Sequence, residues 1–113
     1  MGSIRPEDMP VVMQDESVEV RMAEVGEMTV LWSRLRKGAD FGPMFAHRPD
    51  GLCSCPHWGF MLKGKLKMRT AHGDEFYSAG EAFYWAPGHV PMALEDCETV
   101  DFSPTEALIS SAT

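Results

Sequence analysis

The sequence lacks the long apolar run and the excess of basic residues that would each indicate a particular class of protein. No stretch stays apolar over the roughly 20 residues that a membrane-spanning helix needs. Ten basic residues stand against seventeen acidic ones, for a net charge of −7, whereas nucleic acids and anionic membrane surfaces bind clustered Lys and Arg. We therefore expect neither a nucleic-acid partner nor a membrane partner.

The chain also has few cysteines: it carries three, an odd number, so they cannot all pair within one chain. Cys53 and Cys55 are separated by one residue, a spacing that fits disulfide geometry poorly. Cys97 lies between two acidic residues, and we treat it as incidental. The first ten residues are charged and contain no apolar block, so they do not resemble a secretory signal. Reduced thiols and no export signal predict a cytoplasmic location.

What the sequence does contain is regularly spaced turn residues. Its 113 residues are enough for one compact core and too few for two. Gly, Pro and Asp recur every eight to twelve residues, and no long segment repeats apolar residues at helical spacing, which favours an all-β sandwich or barrel. We divide the chain into an N-terminal arm over 1–16 and a single barrel domain over 17–113. A short helix is predicted from Pro104 to about Ser110, capped by Ser103.

Eight segments have the composition of strands. The sequence Lys63-Gly64-Lys65 separates two of them and predicts a tight turn or bulge with Gly64 at positive φ. The predicted strands are Val18–Glu24, Met28–Arg36, Cys53–Leu62, Leu66–Ala71, Glu75–Tyr77, Ala82–Trp85, Pro91–Leu94 and Thr99–Phe102.

Two segments resemble the signature blocks of the cupin superfamily. The first reads Cys-Ser-Cys-Pro-His-Trp-Gly-Phe-Met-Leu-Lys-Gly over 53–64 and ends in an apolar strand closed by a glycine. The second reads Gly-Glu-Ala-Phe-Tyr-Trp-Ala-Pro-Gly-His over 80–89. The resemblance covers roughly 28–104 and implies an antiparallel double-stranded β-helix, the jelly-roll barrel of small single-domain cupins. It also implies a homodimer, because cupins are commonly dimers and the association of two copies covers exposed sheet edges.

The chain departs from the family at the metal ligands. Counted back from Gly64, the family's glutamate falls on His57, and its two histidines fall on Cys53 and Gly51. In the second block the ligand position falls on Pro91, and the histidine present is His89. The chain is therefore similar to a divergent group of small cupins with a Cys-x-Cys-Pro-His-Trp-Gly motif, and the metal of a standard cupin is not carried over.

The residues that replace the usual ligands still form a plausible set. Cys53, Cys55 and His57 alternate along an extended segment, and alternate residues of a strand share one face. His89 could approach from a neighbouring strand. Thiolates with one or two imidazoles suit a divalent metal ion, with zinc favoured over iron or copper. Two alternatives stay open: a metal-free pocket in which His57 still acts, and plain packing of buried cysteines.

The aromatic residues of the predicted strands either fill the barrel or shape a pocket for a small molecule. Tyr84 carries a proton at its tip and, with His57, is a catalytic candidate, although alternation does not say which face it takes. His47 is a weaker candidate from a loop, and Glu81 is expected in a turn.

Two functions fit these residues. One is a metal-dependent enzyme that acts on a small molecule, of the lyase, isomerase or oxygenase type, with His57 as ligand or general acid–base. The other is a non-catalytic module that binds a small ligand, or senses a metal or oxidation through Cys53 and Cys55.

Overall fold

The structure is a computed structural model and describes residues 1–111. Within that range the chain forms nine strands and one short α-helix, with short 3-10 turns at Pro6–Asp8 and Gly42–Phe45. None of the helices described there is long and apolar enough to cross a membrane. The elements are β1 (Val11–Gln14), β2 (Val18–Val25), β3 (Met28–Leu35), β4 (His57–Lys63), β5 (Lys65–Thr70), β6 (Gly73–Ser78), β7 (Ala82–Trp85), β8 (His89–Ala93), β9 (Cys97–Pro104) and α1 (Thr105–Ser111).

The strands form two antiparallel sheets, as predicted for a jelly-roll barrel. One sheet has six strands in the order β1-β2-β3-β9-β4-β7, and the other has three in the order β6-β5-β8. Inward side chains of both sheets make one core, in which Met61, Leu66 and Met68 are almost completely buried. The prediction of an all-β fold with a short C-terminal helix is confirmed.

Most boundaries differ from those predicted by one or more residues, and three of the differences concern the strand next to the candidate site, the helix and the N-terminal arm. The strand expected over Cys53–Leu62 begins only at His57, because Pro56 has no N–H to donate and Cys53 instead makes an isolated bridge to His89. The helix expected from Pro104 begins at Thr105, since β9 stays paired to β3 up to Pro104. The segment assigned to an N-terminal arm includes β1, which pairs with β2 at the sheet edge.

Two glycines permit close approaches around β4. A Cβ at Gly59 would overlap the carbonyl oxygen of Val100, the Cβ of Asp101 and the ring of Phe83. Only a residue without a side chain therefore lets β9 and β7 flank β4 this closely. Gly64 has φ +83°, as predicted for the turn after β4, and a Cβ there would overlap the backbone of Asp96.

The outer surface of β4, β7 and β9 carries exposed aromatic side chains, which we call the outer aromatic face. Trp58 pairs in register with Tyr84 on one side and Phe102 on the other. The rings of Trp58 and Tyr84 stack with centroids 5.1 Å apart. The face comprises Trp58, Phe60, Tyr84 and Phe102, which are 40 to 51% exposed.

Candidate metal centre and its cavity

A buried group of three side chains lies at one end of the barrel. The ligand atoms of Cys53, His57 and His89 all lie within 4.8 Å of one another. His57 opens β4 and His89 opens β8, while Cys53 precedes β4. Backbone hydrogen bonds fix Cys53 opposite His89: the Cys53 N–H donates to the His89 carbonyl at 2.9 Å, and the His89 N–H donates back at 3.3 Å. The group could hold a metal ion.

Hydrogen bonds orient both imidazole rings of this group. Nδ1 of His89 donates to the carbonyl oxygen of Ala86 at 2.6 Å, which fixes the proton on Nδ1 and leaves the Nε2 lone pair free. Nδ1 of His57 lies 2.6 Å from the hydroxyl oxygen of Ser103. Metal-binding histidines in proteins are commonly held through the other ring nitrogen in this way.

Burial sets the protonation of the group. Desolvation, with a smaller contribution from His89, lowers the pKa of His57 to about 3, and desolvation also lowers the pKa of His89. Both rings are therefore neutral at physiological pH, which is the form that binds metals. Desolvation raises the pKa of the Cys53 thiol, so binding of a metal there would release a proton.

Asp101 lies beside the group. Its Oδ2 is 3.7 Å from Nδ1 of His57, and its Oδ1 has no hydrogen-bond partner among the described residues. Burial raises the pKa of Asp101 to about 8. Because the pKa of His57 is low, the two side chains meet as a neutral carboxyl and a neutral imidazole rather than as an ion pair.

Asp101 was not among the residues singled out from the sequence, although β9 carries a signal for it. In β9 the polar side chains Thr99, Asp101 and Ser103 are buried, whereas Val100 and Phe102 point outward. A strand that turns polar residues inward and apolar ones outward reverses the usual pattern. Such a reversal indicates a polar site inside the barrel.

A cavity of about 500 Å³ opens next to the three ligands. Its walls come from both sheets, the 3-10 turn Gly42–Phe45 and α1. The lining residues are Met13, Val20, Met22, Leu31, Ser33, Leu35, Phe41, Met44, Phe45, His47, Cys53, His57, Leu66, Trp85, His89, Pro91, Thr99, Asp101, Leu108, Ile109 and Ser111.

The other residues named from the sequence lie apart from the three-ligand group. Cys55 is fully buried but outside the group; burial, followed by the neighbouring Cys53 thiol, raises its pKa to about 11. Tyr84 stacks on the outer aromatic face and does not line the cavity. His47 lines the cavity with an exposed side chain. Glu81 is exposed and accepts the Ser78 N–H at 2.5 Å, as expected of a turn carboxylate.

Comparison with known proteins rests on structure, since no family model and no curated protein matches the sequence. KdgF from Halomonas sp. is similar at TM-score 0.66 with 20% identity, over 92% of this chain and 94% of that one. An RmlC-like cupin from Shewanella frigidimarina is similar at TM-score 0.66 with 14% identity, over 90% and 89%. The chain has a cupin fold. Ectoine synthase from P. lautus shares the fold at TM-score 0.65 with 10% identity, over 92% of this chain and 78% of that one.

The resemblance to cupins seen in the sequence is thus confirmed at the level of the fold. The cupin barrel explains why residues far apart in the chain converge: β4 and β8 belong to different sheets, yet both begin at the same end of the barrel. The donor set of this chain, one sulfur and two imidazole nitrogens, fits a borderline divalent ion.

Proposed function

We propose that this cupin is a metal-dependent enzyme that acts on a small organic molecule, with Cys53, His57 and His89 as the metal ligands. The convergence of these three buried donors beside an open cavity is the observation that carries the proposal. The proposed ion is zinc, because one thiolate and two imidazoles match its preferences, with iron and copper second.

Three protein ligands leave room for a fourth. Structural zinc sites are closed by four protein ligands, whereas catalytic sites hold three and keep one position for water or substrate. Cys55, the next sulfur along the chain, does not complete the set. When bound, the ion would supply Lewis acidity to a substrate in the cavity.

The residues around the ligands favour proton-transfer chemistry. Asp101 lines the cavity and has a free carboxyl oxygen, and its raised pKa of about 8 would let it both give and take a proton near neutral pH. Ser103 would hold the His57 ring in position, while the apolar walls would keep water away. A lyase or isomerase therefore fits the site better than an oxygenase does.

The alternative of a redox-sensing module has less support. Thiols that sense oxidants are exposed and carry a lowered pKa. Cys53 and Cys55 are both buried, and desolvation raises the pKa of each. These thiols are therefore protonated and shielded unless a metal binds.

We also propose that the chain forms a homodimer through the outer aromatic face. Four aromatic side chains in one contiguous patch next to the edge strand β7 are unusual on a surface that water covers. Pairing of two copies would cover both the patch and the edge.

Metal analysis of protein purified without chelator and then supplied with zinc tests the metal site. We expect one zinc per chain in the wild type and in Cys55→Ser and Cys97→Ser. The variants Cys53→Ser and His89→Ala should lose it. A wild type that takes up no stoichiometric zinc would overturn the proposed site, and loss of zinc in Cys55→Ser would show that the ligand set is different.

A second measurement tests the open coordination position. Cobalt(II) in place of zinc reports its coordination in the visible absorption spectrum, and a small exogenous ligand such as azide should change that spectrum in the wild type. An unchanged spectrum at saturating azide would indicate a closed, structural site and would rule out the enzymatic role proposed for it.

A further inference from the structure

We propose that the cavity binds an uncharged, predominantly apolar organic molecule that carries a hydrogen-bond acceptor. The proposal names the substrate class of the site described above, and it rests on the proposed function only in placing the substrate in that cavity. It requires no metal. The argument depends on the lining of the cavity, its lack of cationic groups and two unpaired polar atoms.

The walls of the cavity are mostly apolar. Strand side chains such as Val20 and Leu31 form one part of the walls. Further apolar side chains come from α1 and from the 3-10 turn with the residue before it: Phe41, Met44, Phe45, Leu108 and Ile109. A volume of about 500 Å³ lies within the range of roughly 300–1,000 Å³ typical of sites for small organic ligands. A molecule dense in hydroxyl groups would lose hydration here without finding enough partners.

Without a metal ion, the described part of the lining has no lysine or arginine to neutralise an anion. Among residues 1–111, no Lys or Arg side chain lines the cavity. A carboxyl lies in the lining as well, since Oδ2 of Asp101 is 3.7 Å from Nδ1 of His57. A ligand carboxylate or phosphate would therefore be buried without a cation, which is strongly unfavourable. The ionisable residues of the lining are Cys53, His47, His57, His89 and Asp101.

Two residues that line the cavity each hold a buried polar atom with no partner among residues 1–111. The indole N–H of Trp85 donates to no described residue, and Oδ1 of Asp101 is likewise unpaired. Both side chains are more than nine-tenths buried, and both residues line the cavity. Buried polar groups are normally satisfied, and leaving one unpaired is costly. A ligand acceptor that reached the Trp85 N–H would remove that cost, and because the nitrogen itself is buried, the indole ring has to turn slightly for the bond to form.

Four related probes test the ligand class: acetophenone, ethylbenzene, benzoate and the ammonium form of 1-phenylethylamine. Binding is followed by ¹H–¹⁵N NMR of the full chain, in which Trp85→Phe assigns the Trp85 indole resonance. We expect acetophenone to saturate and to shift that resonance, and ethylbenzene to bind without the hydrogen-bond shift. Both charged probes should bind at least about tenfold more weakly than acetophenone, because burying an unpaired charge is unfavourable.

Several outcomes would overturn the proposal. In the first, benzoate or the amine binds as tightly as acetophenone does. In the second, neither neutral probe saturates. In the third, acetophenone binds but the Trp85 indole resonance does not move. The titrations are run on chelator-treated protein, because a bound zinc ion with an open position would itself attract benzoate, and zinc uptake is measured on separate samples. Failure to take up zinc with an unchanged preference among the probes would refute the proposed metal site and leave the ligand class standing.

A variant that adds one positive charge to the lining sharpens the test. Met22 is half-buried on β2 and lines the cavity. The methylene chain of a lysine at this position can take the place of the methionine side chain and bring an ammonium group to the cavity wall. We expect Met22→Lys to bind benzoate about tenfold more tightly than the wild type does. Met28→Lys adds the same charge outside the cavity and should leave benzoate binding unchanged. Equal gains in both variants would show that the cavity does not select the probe.

Discussion

The two faces of β4 differ more than the faces of an ordinary barrel strand do. Inward lie His57, Gly59 and Met61, where the candidate ligand and the close approach of β9 are found. Outward lie Trp58 and Phe60, which are 45% and 40% exposed. The neighbouring strand β9 repeats the contrast, with polar residues inside and apolar ones outside.

This contrast reverses what burial alone would favour. Hydrophobic stabilisation drives apolar side chains inward, and a buried polar group costs free energy unless it is paired. A barrel that keeps an imidazole and a carboxyl inside while leaving indole and phenyl rings outside gives up stability on both faces. The proposed ligand site would explain the polar side chains on the inner face, and the proposed dimer would explain the exposed aromatic side chains on the outer face.

The largest expected effect comes from removing the close approach on the inner face. In Gly59→Ala the new Cβ would overlap the Val100 carbonyl, which is backbone and cannot rotate away. We expect a loss of about 3 kcal/mol in the free energy of unfolding, at the upper end of overpacking effects. Urea unfolding measures it, and Gly2→Ala, where a Cβ meets nothing within 4 Å, is the control. Equal midpoints for both variants would contradict this packing.

The outer face is tested by the oligomeric state. We expect a sedimentation mass of twice 12.6 kDa for the wild type at micromolar concentration. Trp58→Ser should raise the dimer dissociation constant about 30-fold, because a buried tryptophan at an interface centre contributes roughly 2 kcal/mol. Phe76→Ser removes a more exposed aromatic side chain from β6, in the other sheet, and should leave the dimer intact. A wild-type mass of one chain would refute the dimer.

The sequence predicted the fold better than it predicted the site. Turn residues such as Gly64, together with the absence of helical periodicity, suffice for a β-barrel because those signals are local. Cys53, His57 and His89 were named together, and the structure brings them together. The alternation that names both Cys53 and Cys55 does not extend back past Pro56, because β4 begins only at His57, and Cys55 lies outside the three-ligand group.

The residues missed by the sequence depend on contacts between distant parts of the chain. Asp101 reaches the site only because β9 pairs with β4 in a register that sets Gly59 opposite it. The face taken by Tyr84 likewise depends on the pairing of β7 with β4. Neither register follows from local composition, since shifting a strand by one residue exchanges its two faces.

A smaller effect is expected from the hydroxyl that orients His57. Ser103→Ala removes the 2.6 Å contact to Nδ1 without touching a ligand atom, so the ring loses its fixed orientation. Zinc affinity should fall about tenfold, as is common when such supporting hydrogen bonds are lost. Competition with a chromogenic chelator measures it, and Ser103→Thr, which keeps a hydroxyl, should recover part of the loss. Ser111→Ala, whose hydroxyl donates to Leu108, is the control and should bind zinc normally.

The smallest expected effect concerns Asp101, the buried carboxyl of the inner face, in metal-free protein. The pKa of Asp101 rises from 3.8 in the unfolded chain to about 8 in the fold, so the folded state binds more protons between these values. Its contribution to stability is therefore complete below pH 3.8 and is lost as the pH rises through 8. The histidines act in the opposite direction, since their folded pKa values lie below 6.5, and they contribute little above it.

Between pH 7 and 8 Asp101 thus dominates the pH dependence of this group. Over that interval the free energy of unfolding of the wild type should fall by about 1 kcal/mol. Asp101→Asn cannot lose a proton, so its stability should stay level across the same range. Urea midpoints at both pH values give the comparison, and a parallel fall in the two proteins would mean that Asp101 is already charged in the fold. Trp58 points to the opposite face of the sheet from Asp101, so Trp58→Ser should keep the wild-type slope.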